Sequence, residues 1–204
     1  MKSIKLNLVC FFFKLKPEIK NSIDTDNYQK IIKDFKEQYN EIDARIKQEK
    51  GILAFHRMFL IIGLALYKAL HNKFQNQEEL IDKIHDILWK ERMSKNIRFL
   101  AFFIYRSRDP FHLYLQILGP NNEWFFPCPP WEKVRVEIQD GIGWHQKKCP
   151  YKDFFEKEGV VELTRAYCDM DKRIVEIFPN HIELKRQHTL ANGDNWCDFY
   201  YYQK

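Results

Sequence analysis

The C-terminal sequence IELKRQHTLANGDNWCDFYYY, residues 182–202, has the pattern of a β-hairpin. Its two arms, residues 182–190 and 196–202, are rich in β-branched, aromatic and long side chains. The dipeptide Asn192-Gly193 lies between them, and Asn-Gly favours the two-residue turn that joins antiparallel strands. The sequence therefore predicts that the chain ends in a pair of antiparallel strands.

A two-residue turn would also fix which side chains face each other across this hairpin. It pairs Ala191 with Asp194 and, counted back along both arms, His188 with Cys197. Side chains on one face of a hairpin alternate with those on the other, so the same face would carry a further set: Leu184, Arg186, Phe199 and Tyr201. A histidine beside a cysteine can activate a thiolate. A longer loop would shift the register by one residue and separate the two side chains, and this alternative stays open.

The residues before the hairpin predict a small sheet followed by two helices. Val134–Ile138 alternates as a strand, Gly141 and Gly143 indicate a turn, and a second strand follows near 144–148. The helices are predicted at 151–158, closed by Gly159, and at about 161–178, closed by Pro179.

The first half of the chain is predicted to be helical. Apolar residues recur every three or four positions in three segments: residues 28–49, 52–71 and 77–93. Asn76 with Glu79 resembles a capping box, and Asp109-Pro110 predicts the start of another short helix. Residues 97–105 fit either a helix or a buried strand.

The predicted fold class is α+β: a helical N-terminal half packed on a small antiparallel β-sheet, with two further helices in the C-terminal half. A turn-rich segment at 119–130 separates the two halves. We expect an N-terminal extension at 1–27, a helical part at 28–120 and an α+β part at 131–204, forming one compact protein.

Charge and composition narrow the range of partners. The net charge is +5, spread over 204 residues without a basic block, so no nucleic acid is expected as a partner. The longest apolar stretch, residues 52–70, contains two basic residues and a histidine, which predicts a buried helix and no membrane partner. An odd number of cysteines, five, without a secretory signature predicts reduced thiols in the cytoplasm. The oligomeric state is not predicted.

Three cysteines, Cys149, Cys168 and Cys197, occur among acidic and basic residues and are candidates for chemistry. Cys168 and Asp171 are three residues apart on a predicted helix and so share one face. The alternative is a buried Cys168 with an exposed Asp171 that pairs with Lys172 or Arg173. Zinc binding is a further alternative, weakened by the absence of a Cys-x-x-Cys pair. No phosphate-binding loop or dinucleotide motif occurs, and no cofactor is expected.

The strings around these cysteines resemble the L-2-amino-thiazoline-4-carboxylic acid hydrolase family. From Trp131 to the end the shared strings are Cys149-Pro150-Tyr151, Glu158-Gly159-Val160 with Glu162-Leu163, Cys168-x-x-Asp171, Leu184-Lys185-Arg186 with Thr189-Leu190-Ala191, and Gly193-Asp194 with Cys197-Asp198-Phe199. Upstream, residues 63–70 are similar to the family's helix that ends in Ala-Leu-Tyr-x-Ala-Leu.

The resemblance implies ring opening of a cyclic isothiourea, a small-molecule substrate, to N-carbamoyl-L-cysteine. The catalytic candidates are then Cys149, Cys168, Asp171, Cys197 and His188, and the substrate-binding candidates are Arg186 and Asp194. Asp171 would hold a protonated substrate nitrogen, and Arg186 the substrate carboxylate. Cys149 or Cys197 would be the nucleophile, with His188 as its base. The Gly-Asp-x-x-Cys-x-Phe ending is also similar to small-molecule-binding domains of the 4-vinyl reductase type, so a non-enzymatic binding or sensory module is the alternative.

Overall fold

The computed structural model describes residues 19–20, 28–46, 54–89 and 93–204. The chain divides into two compact units, Met1–Asn96 and Ile97–Lys204. Apart from residues 19 and 20, the expected N-terminal extension lies outside the described residues, as does the end of the first predicted helix beyond Ile46. The predicted division at 119–130 stays a prediction.

The first unit contains three predicted helices, and all three are present: α1 (Tyr28–Ile46), α2 (Ala54–Leu70) and α3 (Gln77–Leu88). The buried residues of α1 recur every three or four positions along one face: Ile31, Ile32, Phe35, Tyr39, Ile42 and Ile46. α2 is apolar around most of its circumference and packs against both α1 and α3. Within the described ranges, no helix has both the length and the apolar character needed to cross a bilayer.

Helix starts follow the predicted caps. Asn76 accepts a hydrogen bond from the Glu78 amide at 2.8 Å and opens α3. The segment left open by the sequence is a helix, α4 (Ser94–Ile104). Asp109 caps α5 (Pro110–Ile117) by accepting from the His112 amide, and proline takes the first position of that helix.

The second unit holds one antiparallel sheet of four strands in the order β1-β2-β4-β3. The strands are β1 (Glu132–Val136), β2 (Gly141–Lys148), β3 (Ile182–Lys185) and β4 (Cys197–Gln203). Between β2 and β3 the chain forms α6 (Pro150–Lys157), a 3₁₀ turn at Val161–Leu163, and α7 (Thr164–Val175). The α+β class is therefore confirmed, with helices first and two further helices in the C-terminal half.

The predicted turn at Gly141 and Gly143 is wrong, because both glycines lie within β2. The turn is formed by Gln139 and Asp140, and Asp140 has a positive φ of 56°. A Cβ added at Gly143 would approach a Val136 methyl carbon to 2.8 Å. At this position glycine gives the neighbouring strand room to approach; it does not reverse the chain.

The predicted hairpin register is correct in the strands but its two-residue turn is wrong. Leu184 pairs with Tyr201, as the count from Asn192-Gly193 requires. β3 nevertheless ends at Lys185, and the connection to β4 contains a 3₁₀ turn at Leu190–Asn192 that ends at Gly193, with φ 89°. The reason is a buried side chain: Asp198 accepts hydrogen bonds from the Gln187 and His188 amides and takes them out of strand pairing.

Candidate active site

Four elements of the second unit bring the candidate residues together. Cys149 precedes α6 as its N-cap residue, and Cys168 and Asp171 both lie on α7. Arg186 follows β3, and Cys197 begins β4. We call these five residues the thiol site.

Arg186 is the structural centre of the thiol site. Its side chain is 2% exposed, and its Nη1 donates to the Asp171 Oδ2 at 2.8 Å. Its Nη2 donates to the Cys168 carbonyl oxygen at 2.7 Å, so both bonds tie the guanidinium to α7. The ring of Phe199 lies 5.4 Å from the guanidinium carbon. The buried Nε–H has no hydrogen-bond partner, which leaves one donor of a buried cation unused.

Asp171 does not form the ion pair with a neighbouring residue that was the alternative in the sequence analysis. Its partner is Arg186, 15 residues away on another element, and not the neighbouring Lys172 or Arg173. Burial raises the pKa of Asp171, while the positive charge and hydrogen bond of Arg186 oppose that rise. Burial is the largest influence on the pKa of Arg186 and lowers it, but the raising influences of Asp171, the neighbouring thiols and Tyr201 together outweigh it. The Asp171 side chain keeps 37% of its surface accessible, so the carboxylate is held by Arg186 and still reachable.

The three thiols are held in the neutral form. Burial raises the pKa of Cys149 to about 12, against the pull of the first amides of α6. Burial also raises the pKa of Cys168 well above its ordinary value, and the pKa of Cys197. The dominant cause in all three is the loss of water around the thiolate.

The electrostatic influences also show that the thiols lie near one another. A charge on Cys197 would raise the pKa of Cys149, and charges on Cys149 and Cys197 would raise that of Cys168. Asp171 raises the pKa of both Cys168 and Cys197. Burial is the largest cause of the raised pKa in three of these side chains, and each still keeps some accessible surface: Cys149, Cys168 and Asp171. These side chains are therefore largely enclosed by protein and still partly reachable from solvent.

Cys197 is the most enclosed of the three thiols. It is buried, and its Sγ accepts a hydrogen bond from the Leu190 amide at 3.2 Å. This amide and the charge of Arg186 both lower the pKa of Cys197, although burial outweighs them. The 3₁₀ turn after β3 thus supplies a donor to the sulfur that would stabilise a thiolate once formed.

The structure does not place His188 on Cys197. The His188 ring is half exposed, its Nδ1 lies 3.5 Å from the Asp194 carboxylate, and its centroid lies 6.1 Å from the Trp196 ring. Asp194 in turn accepts from the Thr189 amide at 2.7 Å. The predicted facing pair assumed a two-residue turn, and the longer connection directs the imidazole toward Asp194. His188 and Asp194 therefore stand together, apart from the contacts that unite the thiol site.

Two buried tyrosines adjoin the site and were not among the predicted site residues. Tyr114 on α5 and Tyr201 on β4 are hydrogen-bonded through their hydroxyl groups, and burial raises the pKa of both. The charge of Asp171 raises both values further. Strand alternation does place Tyr201 on the same face as Cys197, so it was within reach of prediction, whereas nothing in the sequence marked Tyr114.

The described residues include no group of three His, Cys, Asp or Glu side chains arranged to hold a metal ion. The side chains gathered at and beside the thiol site are three thiols, one carboxylate, one guanidinium and two tyrosine hydroxyls.

The fold and the site define an α+β protein whose C-terminal unit encloses a cluster of thiols with a carboxylate–guanidinium pair. A family model described as L-2-amino-thiazoline-4-carboxylic acid hydrolase matches residues 35–201, and the chain belongs to this family. The match includes the whole thiol site. No curated protein matches the chain.

Among solved structures, the chain is similar to an H-NOX protein from S. oneidensis in the Fe(II)NO ligation state. The two share 10% identity over 92% of this chain and 98% of that one, with a TM-score of 0.37. A likeness at that level says nothing about function.

Proposed function

We propose that the protein is a hydrolase that opens a small cyclic substrate containing carbon–nitrogen and carbon–sulfur bonds. The substrate class is that of L-2-amino-thiazoline-4-carboxylic acid, and the product is N-carbamoyl-L-cysteine. The observation that carries the proposal is the cluster of Cys149, Cys168, Cys197, Asp171 and Arg186, which influence one another electrostatically and lie inside the range that matches the family.

Asp171 is the residue that suits an amidine. The ring carbon between two nitrogens and a sulfur becomes electrophilic when a nitrogen is protonated, and a carboxylate stabilises the resulting cation. Arg186 holds the Asp171 carboxylate in place through Oδ2. Because the Asp171 side chain keeps 37% of its surface accessible, its other oxygen can accept from an N–H of the substrate.

Arg186 can also bind a substrate carboxylate, because its Nε–H donor has no hydrogen-bond partner in the protein. Both of its terminal nitrogens are bonded within the protein, and Nε is the buried donor without a partner. A buried N–H without an acceptor is costly, so an acceptor oxygen of the ligand at this point would be stabilising. We also propose Asp194, which lies beside His188 outside the thiol site, as a substrate contact.

The reaction adds one water to the ring carbon, breaks the bond from that carbon to sulfur, and leaves a urea carbonyl and a free thiol. The sulfur that leaves must gain a proton. The two protons of the water go to the ring nitrogen and to this sulfur, and a neutral thiol of the site can relay the proton to the sulfur and recover one from the water. In the alternative route, Cys149 or Cys197 gives its proton to a ring nitrogen and adds to the carbon as the thiolate. The bond from that carbon to the ring sulfur then breaks, and the sulfur takes a proton from the isothiouronium that this leaves. Water adds to the same carbon and breaks its bond to the cysteine sulfur, and the two protons of the water return to the nitrogen and to the cysteine thiol.

Turnover of the thiazoline by the purified protein, with the carbamoyl product identified by mass spectrometry, tests the proposal. We expect the single variants C149S, C168S, C197S and D171N to lose most of kcat/KM. C128S, which changes an exposed cysteine, is the matched control and should keep full activity. Full activity in all three cysteine variants of the site would exclude a role for the thiols, and no turnover by the wild type would exclude this substrate.

One observation favours a second candidate, a non-enzymatic binding module. Burial raises the pKa values of the three thiols, and four buried or partly buried tyrosines lie beside the site in two pairs, Tyr114 with Tyr201 and Tyr151 with Tyr167. Such a module would bind the thiazoline in calorimetry without converting it, and the cysteine variants would retain that binding.

A further inference from the structure

The outer face of α4 exposes three phenylalanines side by side. Phe99, Phe102 and Phe103 are 66%, 51% and 54% exposed, although phenylalanine is usually buried. The rings contact one another edge to face, with centroids 5.1 Å apart for Phe99–Phe103 and 5.4 Å apart for Phe102–Phe103. They form a contiguous apolar patch, which is a feature of surfaces that bind another molecule.

The opposite side of α4 explains why the rings point outward. Ile97, Ala101 and Ile104 are the buried residues of the helix and repeat at intervals of four and three. At 3.6 residues per turn the three phenylalanines fall on the far side from this stripe. The helix is therefore apolar on both faces, and only one face is used by the core.

Basic residues surround the exposed rings. From Ser94 to Arg108 the sequence contains four basic residues and no acidic one. Arg98 is exposed on the same side of the helix, and the Arg106 guanidinium carbon lies 3.6 Å from the centroid of the Phe102 ring. We call Arg98, Phe99, Phe102, Phe103 and Arg106 the α4 outer face.

We propose that the α4 outer face docks the protein on an anionic lipid surface. A helix that lies in the membrane interface presents aromatic side chains to the acyl boundary and arginines to the headgroups, and the α4 outer face has both. Charge complementarity selects this occupant over a second copy of the chain, because two copies of the face would bring arginines against arginines.

This proposal departs from the expectation that a membrane is not a partner. That expectation rested on the apolar stretch at residues 52–70, and residues 97–105 were left open between helix and strand. Only the helical conformation gathers the three rings and the arginines on one side. The proposed contact is peripheral and is separate from the thiol site.

Sedimentation with lipid vesicles tests the proposal on the full chain. We expect binding to phosphatidylcholine vesicles that contain about one third phosphatidylserine, and binding that weakens as salt rises from about 50 to about 500 mM. The variant F99S/F102S/F103S should bind on the order of 10- to 100-fold less. R98Q/R106Q should bind roughly 10- to 30-fold less on the anionic vesicles.

Two matched controls separate the α4 outer face from general surface effects. W124S removes another highly exposed aromatic, and K30Q/K147Q removes two exposed charges elsewhere; both should bind like the wild type. Circular dichroism should be unchanged in every variant, because the substituted side chains are exposed. No binding of the wild type to anionic vesicles overturns the proposal, and so does equal binding by the phenylalanine variant. Self-association that the phenylalanine variant abolishes, without vesicle binding, would instead assign the face to a second copy.

Discussion

The Arg186–Asp171 pair is the interaction on which the thiol site depends most. It joins the end of β3 to α7, and the cation is almost fully enclosed. Replacing Arg186 by methionine would leave the Asp171 carboxylate without its partner in a region where burial already disfavours its charge.

We therefore expect R186M to lower the free energy of unfolding by about 2–3 kcal/mol, less than for a fully buried pair because Asp171 is partly accessible. The double variant R186M/D171L should recover a large part of the loss, since it removes both charges. Urea unfolding of the wild type, the two single variants and the double variant measures the coupling. Additive losses in the double variant would show that the pair contributes no mutual stabilisation.

The thiols of the site should react slowly with an alkylating reagent at neutral pH. For Cys149, a pKa of about 12 leaves a thiolate fraction on the order of 1 in 10⁵ at pH 7. A raised thiol pKa means that the reactive form appears only as pH rises, so its alkylation rate should increase about tenfold per pH unit up to pH 10.

Iodoacetamide labelling followed by peptide mass spectrometry checks this expectation. Cys128 is exposed and should be labelled first, ahead of Cys149, Cys168 and Cys197. Rapid labelling of Cys149 at pH 7 would mean that its thiolate is stabilised in solution and would favour direct attack by that sulfur on the substrate.

The connection between β3 and β4 is shaped by Asp198. This buried carboxylate accepts from the amides of Gln187 and His188 at 2.9 and 2.7 Å. Both amides directly follow Arg186, so Asp198 sets the path of the chain that carries the guanidinium into the thiol site.

D198A should lower the free energy of unfolding by about 1–2 kcal/mol, because two hydrogen bonds to a charged acceptor are lost while the exposed amides can turn to water. It should also lower kcat/KM more than the stability loss explains, since Arg186 is released from its position. D198N keeps an acceptor oxygen at the same place and should lose less of both. Thermal unfolding and the turnover assay supply the two measurements, and equal kcat/KM in D198A and the wild type would contradict the positioning role.

The same connection shows where sequence reasoning succeeds and where it stops. Counting from Asn192-Gly193 gave the pairing of Leu184 with Tyr201 correctly, because strand alternation carries the register along both arms. The count failed near the turn because carboxylates of Asp194 and Asp198 compete for the backbone amides. Pairing rules consider only the backbone, so they cannot foresee that competition.

At the scale of the whole molecule, the spacing of apolar residues predicted the helices, because a helix depends on residues close together in the sequence. The three helices of the first unit follow from apolar spacing, and Asp109-Pro110 marks the start of α5. The partner of Asp171 could not be predicted in this way, since its bond to Arg186 depends on how α7 meets the end of β3. The expectation of a cysteine cluster came from the strings shared with the family, whose model matches residues 35–201, and the roles of the cysteines stay predictions.

The thiol site lies entirely within the unit Ile97–Lys204, so stability and activity should be separable by substitutions in the other unit. Leu66 is fully buried in α2 and is the choice for such a test. L66A should lower the free energy of unfolding by about 2–5 kcal/mol through lost burial and the cavity left behind. At a temperature where the variant is still folded, its kcat/KM should equal that of the wild type, whereas C168S should lose activity with little loss of stability. Parallel unfolding and turnover measurements on the two variants decide the matter. A large loss of kcat/KM in folded L66A would mean that the first unit contributes to the site.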